Sequence, residues 1–178
     1  VSYLVEGALV DWSALYLFDD KGIVIEEAVM GVMLFNGTMC IGRLLGNRLG
    51  KHLTSKQVVV GGYLLGSIAM GLIVFLPGHA SMYTYLLLGI SLAMIVPNLF
   101  SAMGEQNVIP MTQAVATSTM LGYMGILMGP ALIGFIAHGT SLTVAFIVLT
   151  ILLVVSAGIG KYAYHLMSKD CGLSEEQI

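Results

Sequence analysis

Long, uninterrupted apolar stretches constrain this chain more than any other feature. Between residues 145 and 155 the only polar side chain is the hydroxyl of Thr150. A helix built on such a segment has no polar face to turn toward water, which a soluble helical bundle requires of its outer helices. With lipid as the outer solvent the requirement disappears. A helix then crosses the hydrocarbon core in about 20 mainly apolar residues at ~1.5 Å rise each. Breaks in the apolar pattern divide the sequence into six such stretches, at residues 1–18, 28–45, 58–76, 82–103, 111–137 and 142–164. They predict an all-α membrane protein whose transmembrane part covers residues 1–166, followed by a polar tail at 167–178.

Composition agrees. Charged residues make up 10% of the chain and hydrophobic ones 57%, with a mean hydropathy of +0.92. A soluble domain carries about 25% charge to cover its core with a hydrated shell. No basic stripe with interleaved aromatics is present, which excludes a nucleic-acid partner. Cys40 in an apolar run and Cys171 in the tail suggest neither a disulfide framework nor a metal site. There is no nucleophile–base pair and no phosphate-binding loop, so an enzyme is not expected, and no cofactor or metal is implied. The chain opens on Val1 with no charged region ahead of its first apolar stretch. That start reads as a cut into the middle of a helix rather than as a signal peptide.

Lysine and arginine set the expected orientation. Arg43, Arg48, Lys51 and Lys56 surround the loop after the second stretch, and Lys161 and Lys169 follow the sixth, whereas Lys21 lies on the other side. The positive-inside rule places the second and fourth loops and the C-terminus in the cytoplasm, and the acidic loop at 19–27 outside.

Three segments resemble the C-terminal half, helices seven to twelve, of the major facilitator superfamily. The run 46–52, Gly-Asn-Arg-Leu-Gly-Lys-His, resembles the superfamily's cytoplasmic signature. Arg43 stands where that signature usually has its first glycine, and Asn47 where it has aspartate. The run 122–130, Gly-Tyr-Met-Gly-Ile-Leu-Met-Gly-Pro, resembles the glycine and Gly-Pro pattern of helix eleven. The run 6–17, Glu-Gly-Ala-Leu-Val-Asp-Trp-Ser-Ala-Leu-Tyr-Leu, is similar to a helix-seven signature of a poorly characterised bacterial branch. The resemblance implies a six-helix half built of two inverted three-helix units. A second, N-terminal half of the same chain would pack around a central cavity, with the first and fourth spans lining it. It further implies a bacterial inner-membrane protein, and a latch at the cytoplasmic loop formed by Arg43, Asn47 and Arg48.

Several residues within the spans carry candidate chemistry. Glu6 lies ~18 Å from the outer end of the first helix, near the middle of a ~30 Å core, where an ionised carboxylate must face protein or water. It reads as a proton or substrate group, or as a buried structural acid. Asp11 lies ~10 Å from the outer end, about 140° round the helix from Glu6, so the two are not expected to share a proton. Trp12 and Tyr16, one turn apart, could hold a solute ring or belong to the interfacial aromatic belt. Asn98 follows Pro97, which is expected to kink the fourth stretch; its amide could meet solute or bond helix to helix. Glu105 is expected to pair with Arg43 or Arg48. Gly122, Gly125, Gly129 and Pro130 read as a packing groove. The functional expectation is a secondary active transporter moving a small solute by alternating access, coupled to an ion or proton. The alternative is a membrane sensor or assembly partner of the same fold.

Overall fold

The computed structural model describes residues 1–49, 53–105 and 109–171, without the side chains of residues 47–49, 105 and 168–171. Every regular element among the described residues is an α-helix: α1 Ser2–Asp19, α2 Ile25–Leu49, α3 Ser55–Phe75, α4 Gly78–Ala93, α5 Ile95–Glu105, α6 Met111–Gly139 and α7 Leu142–Cys171.

Local chemistry sets where these helices begin. At the start of α3, Gln57 N donates to Thr54 Oγ1 at 3.3 Å and Thr54 N donates to Gln57 Oε1 at 3.1 Å, a reciprocal capping box. Glu26 and Glu27 occupy the first turn of α2, where negative charge suits the helix dipole. The turn into α4 passes through Gly78 at φ +50°, a left-handed conformation that a side chain would strain.

Among the described residues five segments are long and apolar enough to cross a membrane: Ile25–Gly46, Ser55–Phe75, Gly78–Gly104, Met111–Gly139 and Leu142–Met167. Of the six spans expected from the sequence, the first does not reach that standard. The helix that falls short is α1, which packs three carboxylates, Glu6, Asp11 and Asp19, into 18 residues. The fourth span is two helices, α4 and α5, broken at Met94 rather than at Pro97. Pro97 has no N–H to give the carbonyl four residues back, at Ala93, and its ring crowds that carbonyl, so the break falls a turn upstream. Beyond the break the Met94 carbonyl accepts from both the Asn98 N–H at 3.2 Å and its side-chain Nδ2 at 2.8 Å.

In the bundle, α1 packs against α6 on one side and α2 on the other, and touches α4 and α7 at its back. α2 lies along α4, and α3 lies along α7 and α4. The core between them is held by Leu9, Tyr16, Phe35, Tyr85, Leu92 and Phe146, all fully buried. Tyr16 stacks on Phe146 with ring centroids 4.1 Å apart. One end of the bundle is tied by three polar contacts. Lys21 Nζ donates to the Val74 carbonyl at 2.6 Å, in the last turn of α3, where a cation is favoured. Thr143 Oγ1 donates to Asp20 Oδ1 at 2.8 Å, and His79 Nε2 lies 2.7 Å from Glu27 Oε2. Burial pushes the Lys21 ammonium below the usual lysine range, with Asp20 opposing the shift.

A candidate intramembrane solute cleft

The seam between α1 and α6 is made by glycines. A Cβ on Gly122 would stand 2.6 Å from the Tyr3 ring, one on Gly134 would stand 2.8 Å from the Trp12 ring, and one on Gly129 would collide with the Leu4 carbonyl. Gly125 faces Leu4 as well. Glycine at these positions lets two helix backbones approach within reach of each other's carbonyls. On the α1 side Gly7 does the same. Its Cβ would lie 2.6 Å from the Ile126 carbonyl oxygen. That carbonyl sits four residues before Pro130, which has no N–H to give it. Trp12 Nε1 donates to the Pro130 carbonyl at 3.0 Å, fastening the seam one turn further on.

Where α1 leaves this seam and turns toward α2, a cleft of about 450 Å³ opens, lined by Glu6, Gly7, Val10, Asp11, Asn36, Ile126, Leu127 and Pro130. Glu6 and Asp11, predicted to lie on different faces of the helix, reach the same cleft from its two sides. The Glu6 carboxylate accepts from Arg43 Nη2 at 3.1 Å, across from α1 to α2. The Glu6 side chain, which lines the cleft, is 16% exposed, and that of Arg43, which lies behind it, is 43% exposed. Asp11 is exposed and, among the described residues, has no cation or hydrogen-bond partner. Asn36 donates Nδ2 to the Val32 carbonyl one turn back at 3.0 Å, leaving its Oδ1 for the cleft.

The remaining sequence candidates go elsewhere. Trp12 and Tyr16 do not form a common face for a solute. Trp12 turns into the α6 seam, while Tyr16 is buried against Phe146 and under Lys21, whose Nζ is 5.3 Å from its ring centroid. Asn98 spends its amide on Met94 and does not line the cleft. The side chains of Asn47, Arg48 and Glu105 lie outside the described residues, and with them the expected pairing of Glu105 with Arg43 or Arg48. Arg43 is found on Glu6, which joins a residue of the expected pathway to one of the expected latch. No spacing rule points to that contact, because it depends on how α1 and α2 pack. Among the described residues no group of three or more His, Cys, Asp or Glu could hold a metal ion.

Over 160 residues the chain is 41% identical to an uncharacterized MFS-type transporter of Yersinia pestis, a match that covers 88% of this chain and 41% of that protein. It is 29% identical over 143 residues to the membrane protein MosC of Rhizobium meliloti, covering 80% of this chain and 35% of MosC. It is 28% identical over 151 residues to an uncharacterized transporter of Sinorhizobium fredii, covering 83% of this chain and 39% of that protein. This is homology to MFS-type transporters. No family model matches the chain, and no solved structure does. The chain spans about two fifths of the length of these curated relatives. Together with the apolar helices, the homology supports a multi-pass membrane protein.

Proposed function

We propose that this chain is the C-terminal half of a secondary active transporter of a bacterial inner membrane. It moves a small solute by alternating access, with the cleft between α1, α2 and α6 as its share of the solute path. The observation that carries this reading is a charged pair, a free carboxylate and an amide gathered around one cleft in an otherwise apolar bundle. Charges within a membrane are costly unless they face protein or water, and they concentrate on solute and proton pathways.

Three further observations support it. First, α6 is the least covered of the five spans: 11% of it is buried within the chain, against 44% for α3. It therefore presents a long surface for a second body or for lipid. Second, the three most extensive helix pairings are related by exchange of α1, α2 and α3 with α4, α6 and α7. That exchange turns the α2–α4 packing into the α6–α1 packing and leaves α3–α7 in place. Two inverted three-helix units, as many transporters have, would produce this pattern. Third, the relatives are longer than this chain by more than half their length, enough for the other half of a two-body carrier.

In this reading the bundle end carrying Asp20, Glu27 and His79 faces outward, and the Arg43 end of α2 faces the cytoplasm, as the distribution of lysine and arginine requires. Glu6 then couples transport to protonation, and Arg43 is the counter-ion that releases it. Uptake by the full-length protein in proteoliposomes, wild type against Glu6→Gln, across a range of pH, tests this role. Loss of pH dependence in the variant is the expected result. Unchanged uptake with unchanged pH dependence removes Glu6 from the coupling step.

A further inference from the structure

We infer that the cleft recognises solutes bearing an ammonium group, held by Asp11 and Asn36. The inference rests on the carrier reading above and names the class of solute for the same site. Its basis is the balance of donors and acceptors. The two Asp11 oxygens have no partner among the described residues. Asn36 has already given one N–H to Val32, so its Oδ1 and a single N–H remain. Ile126 lines the cleft, and its carbonyl, packed against Gly7, is deprived of its usual helical partner by Pro130.

The cleft therefore offers several acceptors against one spare amide donor. Its charge balance points the same way. Glu6 and Arg43 cancel each other across the wall, which leaves the Asp11 carboxylate as the net charge facing the space. An unpaired carboxylate favours a cation that can also donate hydrogen bonds, and an ammonium supplies both. An anionic solute would meet Asp11 with like charge and leave the acceptors unfilled. The apolar part of the lining, Val10, Leu127 and the Pro130 ring, suits a carbon skeleton beside the charged head.

The test uses the full-length carrier, purified and also reconstituted into proteoliposomes, with three matched sets of probes. These are glucosamine, glucose and glucuronate; ethanolamine, ethylene glycol and glycolate; benzylamine, benzyl alcohol and benzoate. The expected result is that the amine of at least one set raises the melting temperature and its neutral and anionic counterparts do not. Asp11→Asn should weaken that amine at least tenfold, Asp11→Glu should retain it, and Asn36→Ala should weaken it less than Asp11→Asn does.

A neutral or anionic member acting as well as its amine overturns the inference, and so does silence from all three amines. Asp11→Asn that melts lower without ligand but binds the amine as the wild type does assigns Asp11 to a cation on another segment, which also overturns it. The two readings fail differently. Amine binding without accumulation in vesicles contradicts the carrier while keeping the amine site. Accumulation of only neutral or anionic probes keeps the carrier and removes the amine site.

Discussion

Glu6 and Arg43 show how a single contact reassigns two residues. Counted along its own helix, Arg43 lies near the end of the second apolar stretch, where an arginine would snorkel to the interface. The structure turns it back across the helix pair to Glu6 at 3.1 Å. Because the Glu6 side chain is mostly covered and the guanidinium is not, the coupling between them is screened and amounts to about 1 kcal/mol. The cost of breaking the pair is unequal. Arg43→Met strands a covered carboxylate, whereas the double variant Glu6→Gln with Arg43→Met strands nothing. Thermal unfolding of the full-length protein should therefore show the single Arg43→Met variant melting below the double variant. The reverse order would mean that the pair does not form in the membrane. Asp11 and Asn36 make the complementary point. What singles them out is that the groups around them leave their acceptors unfilled.

Among the elements, the α1–α6 seam is where sequence and structure agree most closely. Gly122, Gly125, Gly129 and Pro130 were legible as a packing groove because small residues at helical spacing have few other uses in an apolar span. Their partner was not legible. That the groove receives Leu4, Gly7 and Trp12 of α1 is a matter of tertiary packing. The fourth span shows a different limit. Pro97 announced an irregularity, but the break appears at Met94 because the lost hydrogen bond belongs to a carbonyl four residues upstream. The aromatic pair Trp12 and Tyr16 misled because helical spacing puts them one turn apart while α6 and α7 draw them into different interfaces.

The seam yields a direct comparison of glycines. Gly7→Ala places a methyl against the Ile126 carbonyl and should destabilise the full-length protein by roughly 1–3 kcal/mol, as overpacking does. Gly158→Ala on α7 meets nothing within 4 Å and should be neutral or stabilising by up to about 1 kcal/mol from helix propensity. Melting curves of the two variants decide the matter. Equal losses would show that the seam is looser than the glycine contacts require.

At the scale of the whole molecule, hydropathy made the membrane and the helical class readable, since a soluble bundle needs a polar face on its outer helices and these stretches have none. Five of the six expected spans are apolar enough to cross on composition alone; the three carboxylates that make α1 interesting are the same residues that make it a poor membrane helix by itself. A helix of that composition is accommodated when its acids face a water-filled path rather than lipid. That is the central claim, and cysteine accessibility in the full-length protein tests it most directly. With Cys40 and Cys171 replaced, Asp11→Cys and Asn36→Cys are compared with Ile68→Cys, an exposed position in the middle of α3 and away from the cleft. A membrane-impermeant maleimide is applied to right-side-out and inside-out vesicles. Positions 11 and 36 should be labelled, from each side of the membrane in turn as the cleft opens to it, and position 68 should stay unlabelled. If positions 11 and 36 prove as unreactive as 68 from both sides, the cleft is not a path for solute.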